Sequence, residues 1–171
     1  MVLTGLYFKI NNMAYINHTK VSRMLSPCKI SLYLPSTDTQ VLTDADTWYK
    51  LESPISDGGA RLFTLRGTPD FDILYSGENN TEVFFTGDAD LAISGSSAEV
   101  EFALFVNDVE QTKFTSKTLI VSSTEIEAFG TNGLVTISTN DTLDIRAKCN
   151  AAGRTLTIEN LKVTFLLNEL A

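Results

Sequence analysis

Groups that do chemistry are scarce in this chain of 171 residues, which holds one histidine, one tryptophan, two cysteines and four prolines. A Ser-His-Asp or Cys-His arrangement would need His18 as its base, and no G-x-S-x-G pattern accompanies it. One His and two cysteines as far apart as Cys28 and Cys149 do not supply zinc-site spacing. Nucleotide binding has no support, since neither G-x-G-x-x-G nor G-x-x-x-x-G-K-[ST] occurs. The acid pairs Asp44/Asp46, Asp88/Asp90 and Asp141/Asp144 lack a D-x-D-x-D-G frame and read as solvated turn acids. The expectation is a protein that is not an enzyme and uses no cofactor or metal.

Positive charge is also short. Thirteen Lys and Arg stand against 21 Asp and Glu, a net charge of −8, which argues against a nucleic-acid partner because phosphate binding needs clustered cations. No run approaches the ~20 apolar residues of a membrane helix. The opening MVLTGLYFKINN has an apolar run too short for a signal peptide, and its only Lys comes after that run, so a Sec-secreted origin is not expected. The sequons at Asn17, Asn79 and Asn140 then read as chance matches. The cysteines are expected as reduced, half-buried thiols, although their spacing leaves a pairing open.

What the chain has is strands. From Lys29 onward short β runs follow one another: KISLYLP, TWYKL, RLFTL, FDILY, EVFF, DADLAIS, AEVEFALFV, EQTKFT, KTLIVSS, LVTIS, TLDIRAKC, RTLTI and LKVTFLL. Turn signals such as Asn132-Gly133 and Asn140-Asp141 punctuate them. Such spacing indicates an all-β antiparallel sandwich or barrel. Thr124 to Glu127 forms a capping-box pattern sufficient for one helical turn. Residues 1–38 are read as an N-terminal arm or anchoring segment and 39–171 as the sandwich. The arm is aperiodic and basic, with Lys9, Lys20 and Arg23, and its anchoring candidates are Tyr7, Phe8, Tyr15 and Arg23. A loosely packed terminus is the competing reading.

One strand poses a question of assembly. In EVEFALFV, Val100, Phe102, Leu104 and Val106 line one face, yet Ala103 and Phe105 make the other face apolar too. In LKVTFLL, Leu166 opposes the face of Phe165. A two-layer sandwich covers one face of each sheet, so outward apolar residues call for another partner, either further copies of the chain or its own arm. Ala103, Phe105, Phe165 and Leu166 are the candidates for contact between copies. Trp48 shares a face with Lys50 and is the candidate for stacking on a sugar.

DTWYKLE, FDILYSGENNTEVFFTGDADLAIS, AEVEFALFVNDVEQTKF, GLVTISTNDTLDIRAKC and RTLTIENLKVTFLL, taken in order, resemble the tumour-necrosis-factor-like and complement-like jelly roll of phage virion proteins. LFVND matches that family's strand-end turn, and Asn140-Asp141 stands where Gly-Asp is usual. The resemblance covers about residues 40–167. It implies a jelly-roll β-sandwich, a threefold homotrimer packed through one sheet, and a structural role in the virion of a bacteriophage. Capsid decoration or cement, or a head appendage, fits a basic arm ahead of an acidic sandwich; a receptor- or glycan-binding fibre knob is the alternative. The implied partners are the chain itself and the major capsid protein or other virion proteins. Nucleic acid and membrane are not among them, and the location is the virion, assembled in the host cytoplasm.

Overall fold

The computed structural model describes residues 29–34, 36–52, 55–56, 62–66 and 72–167. Twelve strands account for most of them: β1 Lys29–Tyr33, β2 Asp38–Leu42, β3 Tyr49–Lys50, β4 Ile55–Ser56, β5 Phe63–Arg66, β6 Asp72–Tyr75, β7 Thr81–Ile93, β8 Ser96–Val106, β9 Val109–Ser122, β10 Glu127–Ile137, β11 Thr142–Cys149 and β12 Arg154–Leu167. The first sheet runs β10-β7-β12-β1-β4 with β2 beside β12, and the second runs β5-β6-β11-β8-β9 with β3 beside β11. The pairings within both sheets are antiparallel. The class is the expected all-β jelly-roll sandwich.

Some boundaries differ from those the sequence suggests. EVFF and DADLAIS are one strand of 13 residues. Gly87 interrupts the apolar pattern without breaking the strand, because it is a point of close approach: a Cβ there would lie 2.8 Å from the Phe85 ring. EQTKFT and KTLIVSS likewise fuse into β9. The capping-box residues form no helix, since β10 takes over at Glu127. β1 lies inside the segment read as an arm, yet it pairs along its length with β12, so the sandwich includes residues 29–33.

Period-two alternation builds the core. Val83, Phe85, Ala89 and Leu91 of β7 point inward, as do Val100, Phe102, Leu104 and Val106 of β8. In β12 a register shift between Ile158 and Asn160 changes the parity, so that Leu156 and Ile158, then Leu161, Val163, Phe165 and Leu167, all reach the same core. Phe165 is therefore a core residue and not a contact between copies. Its ring lies 5.2 Å from Phe85 and 6.1 Å from Phe63. Cys149 is fully buried and free, deeper than its sequence context suggests.

Both turns carried by the resemblance adopt left-handed backbone. Asn107 and Asp108 have φ of 50° and 64°, suited to the tight hairpin between β8 and β9, and Asn140 has φ of 69°. Asn107 also ties the turns together: its Oδ1 accepts from the Thr142 N–H at 2.9 Å and its amide donates to Asp141 at 2.7 Å.

The aromatic layer sets the stability. Phe165→Ala is expected to cost about 3–5 kcal/mol in chemical denaturation, because the Phe63 and Phe85 rings cannot collapse into the space it vacates. A cost below about 1 kcal/mol would mean that the layer is not close-packed.

Candidate interaction surface

The outer face of the second sheet answers the question posed by EVEFALFV. Ala103 and Phe105 point outward, opposite Arg146 and Asp144 of β11, yet they are 0% and 4% exposed in the single chain. Two side chains cover Phe105. The Trp48 ring meets it nearly edge-on at 5.2 Å, and the Arg146 guanidinium carbon lies 4.2 Å from its centroid. β3 places Trp48 there by pairing Tyr49 and Lys50 with Ala147 and Arg146. Lys148 in turn sits 4.6 Å over the Trp48 ring.

A charge network fastens this cover. Asp144, 1% exposed, receives Arg146 Nε at 2.6 Å and a second guanidinium nitrogen at 2.8 Å. Arg146 also reaches Asp108 in the β8–β9 turn. Lys50 Nζ lies 2.7 Å from Asp72 and 3.4 Å from Asp144. Along the same face, Glu101 meets Lys148 at 3.1 Å and Lys117 at 3.3 Å. The hydrogen bond from Arg146 holds the Asp108 carboxyl below its ordinary range. Burial pulls on the Lys50 ammonium in the opposite sense, but Asp72 and Asp144 together raise it above its usual value. Bonding to Asp144 likewise raises Arg146 against its own burial.

Ala103 and Phe105 are thus covered within the chain, and of the four contact candidates only Leu166 stays on an open face. That face is the outside of the first sheet. Leu134, Phe84 and Leu166 stand opposite one another across β10, β7 and β12, and Lys29 of β1 ends the row. Leu134 is 49% exposed and Phe84 38%, with Leu166 half-buried between β7 and β1. Tyr33, 40% exposed, lies on the same face two residues further along β1 from Ser31. Phe84 and Leu134 escape a search for apolar runs, because each is a single apolar residue among polar outward neighbours. The readable signal is the doubled Phe84-Phe85, which breaks period two. Tyr7, Phe8, Tyr15 and Arg23 lie outside the described residues. Trp48 lies in the second sheet's outer cover, with its ring against Phe105 and Lys148.

Two outcomes follow for the charge network. Asp144→Ala removes the buried carboxylate that Arg146 and Lys50 share, leaving them only Asp108 and Asp72, and is expected to cost about 3 kcal/mol, whereas Asp144→Leu with Arg146→Met recovers most of that loss. An Asp144→Ala protein as stable as wild type would show the network to be idle. Asp108 stabilises the fold fully above about pH 4, and that contribution is lost as pH falls through its depressed value. Asp108→Asn should therefore make the acid limb of the stability curve shallower, by a small amount because the group is exposed.

No protein-family model matches the chain. No curated protein matches it either. Solved structures do. The tumour necrosis factor Eiger from S. frugiperda superposes with a TM-score of 0.50 at 11% identity, over 83% of this chain and 93% of that one. The globular domain of zebrafish complement 1qA gives 0.48 at 9% identity over 83% and 96%. Murine APRIL gives 0.47 at 9% over 78% and 99%. At 11% identity the first of these establishes the fold alone, a tumour-necrosis-factor-like jelly roll.

Proposed function

We propose that the chain is a non-enzymatic structural protein of a bacteriophage virion, a homotrimer that decorates or cements the capsid or forms a head appendage. The observation that carries the self-association is the apolar row Leu134, Phe84 and Leu166 across an open sheet face. Large apolar side chains in register on a regular sheet suit another protein surface better than water. Copies meeting through that row in a closed ring bury it in every subunit. The tumour-necrosis-factor-like fold supports a ring of three.

The virion role rests on the resemblance in the sequence and on its charge division. No Asp or Glu precedes Asp38, whereas Lys9, Lys20, Arg23 and Lys29 do. A cationic arm on an acidic sandwich suits anchoring to an acidic lattice of major capsid protein, with Tyr7, Phe8, Tyr15 and Arg23 as its contacts. The alternative, a receptor- or glycan-binding fibre knob, would use Trp48. That ring already has Phe105 against it and Lys148 over it, so the alternative has less support.

Light scattering after size exclusion tests the assembly. Three chains of 18.8 kDa give about 56 kDa (3 × 18.8). Phe84→Lys should return the mass to that of one chain while leaving the thermal midpoint within a few degrees. A wild-type monomer would overturn the ring. Absence of the chain from purified particles of the phage that encodes it would overturn the virion assignment. Binding to undecorated capsids that survives removal of residues 1–28 would remove the anchoring role from the arm.

A further inference from the structure

A strand with a neighbour on one side only leaves backbone groups bare on the other, where an extended chain can pair with it. At one side of the sandwich the first sheet ends in β10 and the second in β9, and these two pack against each other. They are long, with 11 and 14 residues. At the opposite side the outermost described strands are β2 and β4 in the first sheet and β3 and β5 in the second, and none exceeds five residues. Short edges are poor templates, so the exposure to strand addition lies with β9 and β10. Leu119 and Val121 of β9 and Leu134 of β10 are exposed there as well.

Charged side chains occupy both long edges. The Val121 N–H of β9 donates to Glu125 Oε2 at 2.6 Å, so it is turned to the open side and not to β8. On β10 the Leu134 carbonyl accepts from Lys113 Nζ at 2.7 Å. That contact is solvent-exposed and β7 fills the other side of β10, so this carbonyl also faces outward. Each charge suits its group, a carboxylate on a donor and an ammonium on an acceptor.

β9 is deformed where it delivers the second cap. Between the pairs Ala103 with Thr115 and Phe105 with Glu110, β8 advances two residues and β9 five. Within that bulge Phe114 turns into the core, nearly edge-on to Phe85 at 5.5 Å. It sits against Gly133 of β10, where a Cβ would lie 2.7 Å from the ring. Lys113 Nζ then lies 4.8 Å from the Phe114 centroid as it reaches Leu134. The buried ring anchors the bulge, and the bulge holds the ammonium at the β10 edge.

We infer that Lys113 and Glu125 are gatekeepers of assembly, closing the β10 and β9 edges to strand addition so that contact between copies is made through a sheet face. Pairing at β10 would start beside Leu134, the end of the apolar row, and would extend the sheet into an open polymer. The inference does not depend on the homotrimer reading, because an uncapped edge recruits chains to a monomer as it does to a ring.

The test uses the full-length chain carrying Lys113→Ala and Glu125→Ala together, compared with wild type by sedimentation velocity after equal incubation. The double variant should place at least about tenfold more material in species larger than the wild-type particle. Lys113→Arg with Glu125→Gln keeps a donor and an acceptor and should match wild type. Lys117→Ala removes a cation of the same strand that pairs with Glu99 and Glu101 instead, and it should match wild type too. A double alanine variant with the wild-type distribution would overturn the inference, and so would a Lys117→Ala chain that polymerises as readily. A monomeric wild type beside a polymerising double variant would overturn the homotrimer reading alone. Should the double variant not fold, amide exchange in the wild type decides. Val121 exchanging about tenfold slower than Leu119, two residues earlier on the same edge in unbroken register, supports the cap, and exchange no slower than Leu119 overturns it.

Discussion

Asp144 is nearly sealed from solvent, and it holds Arg146 flat against Phe105 with two short hydrogen bonds while sharing its charge with Lys50. Which surfaces of the molecule are open depends on that arrangement. A carboxylate so deep in a sheet is tolerated only if both oxygens have cationic partners, and each does. With Arg146 fixed, one side of Phe105 is closed; with β3 pinned to β11, Trp48 closes another. The apolar end of β8 that looks available from sequence is then part of a second, outer layer belonging to the same chain.

The consequence is an asymmetry between the two sheets. Each has an outward face that carries both charge and apolar groups. Around Phe105 on the second sheet these are combined, with cations over rings and between carboxylates, while Val109, Leu119 and Val121 of β9 stay exposed. On the first sheet Leu134, Phe84 and Leu166 form one row in register across three strands. A mixed surface is comfortable in water, since each charge is near its opposite. An apolar row is not, because it is better satisfied by a complementary body. The physical case for assembly lies in that alignment and not in the amount of exposed apolar area.

The fold was readable because period two is a strong signal and nearly every strand carries it; Val83, Phe85, Val100 and Phe102 all point where alternation puts them. The failures have particular causes. Phe165 reads as a contact candidate because Leu161 through Leu167 is apolar on both faces, and the register shift before Asn160 that settles the parity leaves no mark in composition. Ala103 and Phe105 do lie on an outer face, but they are not bare. The cover of Phe105 comes from Trp48, 57 residues before it in the numbering of the chain, and from Arg146, 41 residues after it. No local pattern announces such contacts. Phe84 and Leu134 were missed for the reverse reason, since a row formed by three strands appears in no single one of them.

Orientation follows from the same asymmetry. A ring built on the first sheet turns its apolar row inward and directs the second sheet to the outside. The outward layer would then be the one in which Lys50, Arg146 and Lys148 are already paired around Phe105 and Trp48, so that part holds its shape without a neighbour. Its paired groups also bind the β8–β9 turn to β11 through Asp108 and Arg146, and the β11 start to the same turn through Asn107 and Thr142. Hairpin ends are where a sandwich exposed to solvent frays first. Here that end is closed by Asp108 on Arg146 and by Asn107 on Thr142, and the buried carboxylate of Asp144 holds Arg146 in place for it.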